Sequence, residues 1–150
     1  MTISHRLLVA AYVIIALVAL VATWSQNLAL FAGGAPDAGF PLWTFVVETK
    51  ANAATRSITV DIILFMLAAV VFMALEARRL GVRFVWLYVL GGLLVAISVT
   101  FPLFMAARQL RLAAGATGSE TAPRLTASDL VGLAISAVVL LALGGFVLSP

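Results

Sequence analysis

A carboxylate inside an otherwise apolar stretch is the residue of this sequence best suited to chemistry. Asp61 lies about eight residues, or about 12 Å of helix, into the hydrophobic segment 53–75. A lipid-facing Asp at that depth would cost a few kcal/mol, so we expect Asp61 to face the interior of a helix bundle. There it needs a proton or a partner. Two roles stay open, a ligand or proton site and a structural polar pin between helices.

Polar side chains near one end of the predicted bundle are candidate neighbours of Asp61. If four helices cross in alternating directions, the end of the first, the start of the second, the end of the third and the start of the fourth share one side. Convergence of polar groups in an apolar bundle is typical of a small-molecule pocket. The alternative is that each group is an ordinary helix end in water. Arg108 and Arg56 are candidate counter-ions of Asp61, and Arg108 is preferred because Arg56, five residues before Asp61, lies off the ideal helical pairing. The other candidate ligand-binding residues are Asn52, Ser98, Gln26 and Asn27.

A second charged group has the pattern of a structural and topological element. Glu76 lies about 22 Å from Asp61 along the helix, too far to share a site with it. Its i,i+3 spacing to Arg79 favours an ion pair at the surface. Arg78, Arg79 and Arg83 fit a role in setting topology, and they are also suited to bind anionic lipid head groups.

The elements that position these residues follow from composition. Of 150 residues, 64% are hydrophobic and 10% are charged, whereas a soluble domain has about 25% charged residues. The chain has no Cys and one His, His5, so we expect no metal site and no cofactor. The net charge of +3 comes without a basic stripe interleaved with aromatics, which argues against nucleic-acid binding.

Hydropathy predicts an all-α integral membrane bundle of four transmembrane helices in a single domain. The predicted spans are 7–31, 53–75, 82–107 and 128–148, with a short interfacial helix at 41–51 between the first and second. The first span is too long for a typical cleaved signal. Gly91, Gly92 and Ala96 have the small-residue spacing that lets helices approach closely, and Pro102 predicts a kink in the third span. Thr126 and Asp129 resemble a capping box.

Orientation follows less directly from charge. With the N-terminus inside, the inner side holds Arg6, Arg78, Arg79 and Arg83, and the outer side holds Lys50, Arg56, Arg108, Arg111 and Arg124. The totals show no bias. Charges in short loops near the first spans usually determine the orientation of a membrane protein. The dense cluster at 78–83 and the first helix therefore predict that both termini lie in the cytoplasm.

No enzyme motif is present in the sequence. Three functions stay open. The first is binding of a lipid or small amphiphile in a polar pocket around Asp61. The second is an accessory subunit of a larger membrane complex, or a homo-oligomer, because Gly- and Ala-rich faces suit helix packing. The third is a membrane enzyme or a proton-coupled transporter.

The central part of the chain resembles the domain-of-unknown-function family DUF2834, small bacterial membrane proteins. The resemblance rests on Asn52, Asp61, the run Glu76-Ala77-Arg78-Arg79-Leu80-Gly81, Trp86, and the stretch from Ser98 through Phe101-Pro102-Leu103-Phe104 to Arg108. It implies a multi-pass protein of the bacterial inner membrane and no particular activity. Ala53 stands where the family usually has Pro, and the fourth span extends beyond the short members of the family.

Overall fold

Helices account for the regular structure of the described chain. The computed structural model describes residues 3–33, 41–115 and 126–149. Its elements are α1 (Ile3–Gly33), α2 (Pro41–Glu48), α3 (Ala53–Leu80), α4 (Val85–Gly91), a π-helical turn (Gly92–Ala96), α5 (Ile97–Ala113) and α6 (Ala127–Leu148).

Four helices are long and apolar enough to cross a membrane: His5–Gly33, Ala53–Leu80, Val85–Ala113 and Ala127–Val147. They fit a multi-pass membrane protein. The all-α prediction is therefore confirmed, and so is the short helix between the first and second spans, since α2 begins at Pro41. A proline suits that first turn because the N–H it lacks would have no partner inside the helix.

Local signals explain where α3 and α6 begin and end. The Asn52 side chain accepts hydrogen bonds from the backbone N–H groups of Ala54 (2.9 Å) and Thr55 (3.0 Å), which caps the first turn of α3. Gly81 ends α3 with φ 67°, a left-handed conformation that glycine adopts without a steric penalty. The predicted capping box of α6 is confirmed, because Thr126 and Asp129 satisfy each other's backbone N–H groups.

The third of these helical stretches, Val85–Ala113, is not one straight helix, because the chain reverses direction between α4 and α5. Ala96, the last residue of the π-helical turn, has extended backbone angles (φ 176°, ψ 142°) where α5 begins. A Cβ added to Gly91 would lie 2.8 Å from Cγ2 of Thr100, so the legs before and after Ala96 pack side by side. At the base of this hairpin, Arg111 at the end of α5 donates to the Leu80 carbonyl at the end of α3 (3.1 Å). The chain thus returns to the end of the bundle at which α4 starts.

Side-chain contacts define the two ends of the bundle. At the arginine end, which holds Arg78, Arg79, Arg83, Arg108 and Arg111, His5 Nδ1 lies 3.1 Å from Gln109 Oε1. At the opposite, lysine end, Lys50 Nζ donates to Ser149 Oγ (2.9 Å), and the rings of Trp43 and Phe146 lie 5.5 Å apart. Helices α1, α3 and α6 each run from one end to the other.

This arrangement corrects two predictions that assumed four straight crossings. Arg108 and Arg111 were placed opposite Arg78, but they lie at the same end. The start of α1 and the end of α6 were placed on one side, but they lie at opposite ends, near Gln109 and Lys50 respectively. The sequence did not predict the reversal at Ala96, which lies six residues before Pro102, and Pro102 is buried within α5.

The core lies where α3 meets α5 and α6. Its fully buried side chains include Val70, Met73, Phe104, Leu140 and Val147. Helix α1 packs on α5 and contributes little to this core. Near the arginine end, α6 approaches α4 so closely that a Cβ on Gly132 would clash with the ring of Trp86. A residue larger than glycine therefore cannot occupy that position without displacing the indole.

Candidate functional site

Asp61 lies on the outward surface of the bundle rather than in its interior. The residue is exposed, whereas Ile63 and Met66 of the same helix are 6% and 5% exposed and face the core. No hydrogen bond or ion pair joins Asp61 to any residue that the structure describes. The prediction that it faces the bundle interior is wrong for the single chain.

The depth of Asp61 in a bilayer follows from its helical neighbours. At 1.5 Å per residue, Arg56 and Glu76 lie about 30 Å apart along α3, which matches a hydrocarbon core of about 30 Å. Asp61 then lies about 7.5 Å inside the level of Arg56. An ionised Asp facing lipid costs about 2.5–3.5 kcal/mol at the centre of a membrane helix on insertion scales, and Asp61, halfway between that centre and the level of Arg56, costs less than this. The side chain is too short to reach the interface, so Asp61 calls for a partner from outside this chain or a proton.

The other predicted pocket residues do not gather around Asp61. Asn52 uses its side-chain oxygen to cap α3, about 13 Å away along the helix. Ser98 is exposed on α5, next to the chain reversal. On α1, Gln26 is exposed and Asn27 is half-buried. The fold therefore distributes these polar residues over three helices, α1, α3 and α5.

Arg108 binds Glu76 and is not the counter-ion of Asp61. Its Nε donates to Glu76 Oε1 at 2.6 Å, and Arg79 donates to the same oxygen at 2.7 Å. The Glu76 side chain is only 10% exposed. The predicted i,i+3 pair of Glu76 and Arg79 is therefore confirmed, but it is part of a three-residue network around the buried Glu76 that joins α3 to α5, not an isolated pair.

A second ion pair joins α3 to α6 at the same end. Arg78 Nη2 donates to Asp129 Oδ1 at 2.5 Å, and the Asp129 side chain is fully buried. Asp129 Oδ2 accepts from the backbone N–H of Thr126 (2.9 Å) and from its hydroxyl (2.7 Å). One carboxylate thus caps α6 and ties it to α3, which satisfies the charge that burial would otherwise leave uncompensated.

The reversal at Ala96 frees the Val95 carbonyl, and a side chain satisfies it. In a continuous helix the Val95 carbonyl would accept from the N–H four residues later. Here it accepts from the indole N–H of Trp24 on α1, at 3.1 Å. The Ala96 carbonyl lies within 3.4 Å of the Thr100 hydroxyl. Trp24 therefore anchors the hairpin to α1.

A cleft of about 390 Å³ opens at the arginine end, between the end of α3 and the start of α4. Arg83 lines this cleft, and no carboxylate of the described residues lies within ion-pair distance of its guanidinium. Its guanidinium lies 5.9 Å from the ring centre of Phe84, which is 72% exposed. Phe84 has φ 59°, a strained conformation for a residue with a side chain. The cleft is lined by Ala77, Arg78, Gly81, Val82, Arg83, Phe84, Val85 and Trp86.

The charges of this end do not cancel. Its two described acids, Glu76 and Asp129, are both held by arginines. Arg111 is bound to a backbone carbonyl, which leaves its charge uncompensated. The predicted topology residues Arg78, Arg79 and Arg83 therefore lie together in an end with surplus positive charge, beside an exposed aromatic ring.

Sequence reasoning missed most of the partners across helices. Asp129, Gln109 and Trp24 each bind a residue on another helix, and none has a local pattern that identifies that partner. A signal was present for the close approach at Gly91 and Gly92, which was interpreted as contact with a separate helix. Both glycines approach Thr100 of α5, the second leg of the same hairpin, and Gly92 also approaches Met66 of the separate helix α3.

Comparison with known families supports the resemblance found in the sequence. No curated protein and no solved structure matches the chain. The sequence model of the family described as "Protein of unknown function DUF2834" matches residues 11–110. This segment includes most of α1, all of α3 and most of the hairpin, while α6 lies beyond it. The chain therefore belongs to family DUF2834.

Proposed function

We propose that this chain is a multi-pass membrane protein that binds the phosphate groups of anionic lipids at its arginine end. The observation that carries the proposal is the cleft beside Arg83, which combines guanidinium groups with an exposed aromatic ring. An amphiphile presents the matching chemistry, a phosphate for the arginines and acyl chains for the ring. This proposal keeps lipid as the ligand and moves the site from Asp61 to the arginine end.

The charge distribution supports a cytoplasmic location for this end. Because the hairpin returns to its starting side, Arg108 and Arg111 join Arg78 instead of opposing it. The lysine end retains Lys50 and Arg56. Basic residues are enriched in cytoplasmic loops, so we place the arginine end in the cytoplasm, where anionic lipids give the leaflet a negative surface potential. The described basic residues of the arginine end are Arg6, Arg78, Arg79, Arg83, Arg108 and Arg111.

Arg83 is the residue best placed to bind a phosphate. Arg78 and Arg79 already donate to carboxylates, and those carboxylates offset their charge. Arg83 keeps its full charge and its donors, and it is exposed at the cleft. Arginine can donate two parallel hydrogen bonds to one phosphate, which adds geometric specificity to the attraction. Phe84 and Trp86 give the cleft apolar surface at the level where aromatic residues are enriched in membrane proteins.

The experiment measures ligand-dependent thermal stability of the full chain in a neutral detergent. The ligands are short-chain phosphatidylglycerol, short-chain phosphatidylcholine and inorganic phosphate. We expect phosphatidylglycerol alone to raise the unfolding temperature, with an effect that weakens as salt is added. Arg83→Gln should remove most of the shift, whereas the matched variant Arg56→Gln, at the lysine end, should keep it.

Three results would contradict the proposal. An equal response to phosphatidylcholine would show that acyl chains suffice without anionic charge. A response to inorganic phosphate as large as that to the lipid would identify a soluble phosphate ligand instead. Equal loss of the response in Arg83→Gln and Arg56→Gln would show that net charge, and not the cleft, attracts the lipid.

A further inference from the structure

We infer that a second copy of this chain packs along the outward face of α3, so that Asp61 of one copy meets Asp61 of the other. This interface is separate from the lipid cleft and does not depend on it. It is formed by a seam of residues on α3, which comprises Ala54, Ser57, Asp61, Leu64, Ala68 and Val71.

The seam has the spacing of a helix that pairs with another helix. Its members alternate three and four positions apart, the 3.5-residue repeat of left-handed helix pairs. All are exposed in the single chain, including Leu64 (51%) and Val71 (40%). Ala54, Ser57 and Ala68 are small, which permits close approach of two backbones in lipid. A polar residue at one seam position is a known means of fixing register and the number of helices.

The seam lies on the exposed side of α3, where Ile58 (61%) and Ile62 (48%) are also exposed, and the other side of the helix is already occupied. The opposite face packs against α6 and the hairpin through Met66, Val70 and Met73. To one side of the seam, Phe65 and Phe72 contact Phe101 of α5, with ring centroids 6.1 Å apart in both pairs. A second copy can therefore approach α3 without displacing any helix of the chain.

Symmetry makes a second copy the fitting occupant for Asp61. A two-fold axis along the membrane normal places each residue at the same depth as its counterpart. Asp61 then meets a carboxyl group at its own depth in the hydrocarbon. A carboxyl and a carboxylate are complementary, since one proton shared between them forms a hydrogen bond and removes one of the two charges. The nearest cation on α3, Arg56, lies about 7.5 Å closer to the lysine end and does not share that depth.

Cysteine cross-linking of the full chain in membranes tests the inference. The sequence contains no Cys, so each single-cysteine variant forms at most one disulfide between copies. We expect Ser57→Cys and Ala68→Cys to give a covalent dimer upon oxidation. The matched control Val138→Cys, on the exposed face of α6 (69%), should remain monomeric.

Substitution of Asp61 tests the part played by the carboxyl group. In the Ala68→Cys background, Asp61→Leu should weaken self-association roughly threefold to thirtyfold, the range for one interhelical polar contact in a membrane. Asp61→Asn should retain the dimer, because two amides also hydrogen-bond to each other. The retained dimer shows that folding is intact, and a circular dichroism spectrum makes the same check for Asp61→Leu.

Each alternative outcome overturns the inference. Equal cross-linking of Val138→Cys would indicate non-specific collision in the membrane. Absence of a dimer for both Ser57→Cys and Ala68→Cys would exclude the seam. A cross-linked product with the mass of this chain plus a different protein would show that the occupant of the seam is not a second copy.

Discussion

Tyr88 and Phe104 pack edge to face with ring centroids 5.6 Å apart. A continuous helix would separate them by about 24 Å along its axis. The contact exists because the chain reverses at Ala96 and returns along its own path. Three helices therefore run the length of the bundle, and a hairpin fills one side of it from the arginine end.

The close contact between the two legs of the hairpin predicts the effect of adding one methyl group. A Cβ on Gly91 would lie 2.8 Å from Cγ2 of Thr100, so we expect Gly91→Ala to destabilise the protein by about 1–3 kcal/mol. Thr100→Ser removes that Cγ2 and keeps the hydroxyl that faces the Ala96 carbonyl. Adding Thr100→Ser to Gly91→Ala should therefore restore much of the lost stability, as measured by thermal unfolding in detergent.

A glycine without close neighbours provides the control. Nothing lies within 4 Å of a Cβ on Gly145 in α6. Gly145→Ala should thus be neutral or stabilise by up to about 1 kcal/mol, because alanine has the higher helix propensity. If Gly91→Ala behaved like Gly145→Ala, or if Thr100→Ser gave no rescue, the two legs would not pack as described.

The reversal also predicts which loops share a side of the membrane. Phe84, before the hairpin, and Ala114, after it, are both exposed at the arginine end, whereas Ala51 is exposed at the lysine end. Single-cysteine variants at these three positions can be labelled with a membrane-impermeant thiol reagent. We expect Phe84→Cys and Ala114→Cys to label only after the cytoplasm is opened, and Ala51→Cys to label in intact spheroplasts.

A straight third helix gives a different pattern in the same experiment. It would place Ala114 on the side of Ala51, so that the two positions would label together. Whether the variants at Phe84 and Ala114 label under the same condition tests the hairpin. Whether that condition is the intact or the opened spheroplast tests the orientation. The two conclusions can therefore fail independently.

The sequence predicts the helices well because helix formation in an apolar chain is local. Hydropathy identified the four long helices, and capping chemistry identified the starts of α2 and α6 at Pro41 and Thr126. The reversal at Ala96 escaped prediction because an apolar run has the same hydropathy whether it crosses a bilayer or turns back inside it. Arg108, Arg111 and the two ends of α6 were consequently assigned to the wrong ends of the bundle.

The site was harder to predict for a related reason. Whether Asp61 faces the interior depends on which side of α3 packs against α5 and α6, and apolar residues surround that helix on all sides. In a membrane helix an apolar position fits either the lipid or the core, so hydrophobic periodicity is weak. The i,i+3 pair of Glu76 and Arg79 could be predicted because it lies within one helix.

The carboxylate of Asp129 has two separable roles, which two substitutions distinguish. Asp129→Asn keeps an oxygen that can accept from Thr126 but loses the charge that holds Arg78. Asp129→Ala loses both. Loss of a helix cap costs about 1 kcal/mol, so we expect Asp129→Ala to be less stable than Asp129→Asn by about that amount in thermal unfolding. Equal stability of the two variants would show that the cap contributes nothing beyond the ion pair.

The network around Glu76 predicts that its two arginines contribute unequally. Arg108 joins α5 to α3 and its side chain is 20% exposed, whereas Arg79 lies on the same helix as Glu76 and is 40% exposed. Exposed pairs contribute about 0.2–1 kcal/mol because water screens them. Hydrogen bonds to charged groups away from water contribute about 1.5–3 kcal/mol.

We therefore expect Arg108→Gln to lower the free energy of unfolding by about 1.5–3 kcal/mol and Arg79→Gln by less than about 1 kcal/mol. Glu76→Gln should cost at least as much as Arg108→Gln, because it leaves both guanidinium groups without their shared carboxylate. Glu48→Gln, at an exposed position of α2, is the matched control and should have no effect. Unfolding titrations in mixed micelles measure these differences. If Arg79→Gln proved as costly as Arg108→Gln, the contact within α3, and not the link to α5, would be the main stabilising half of the network.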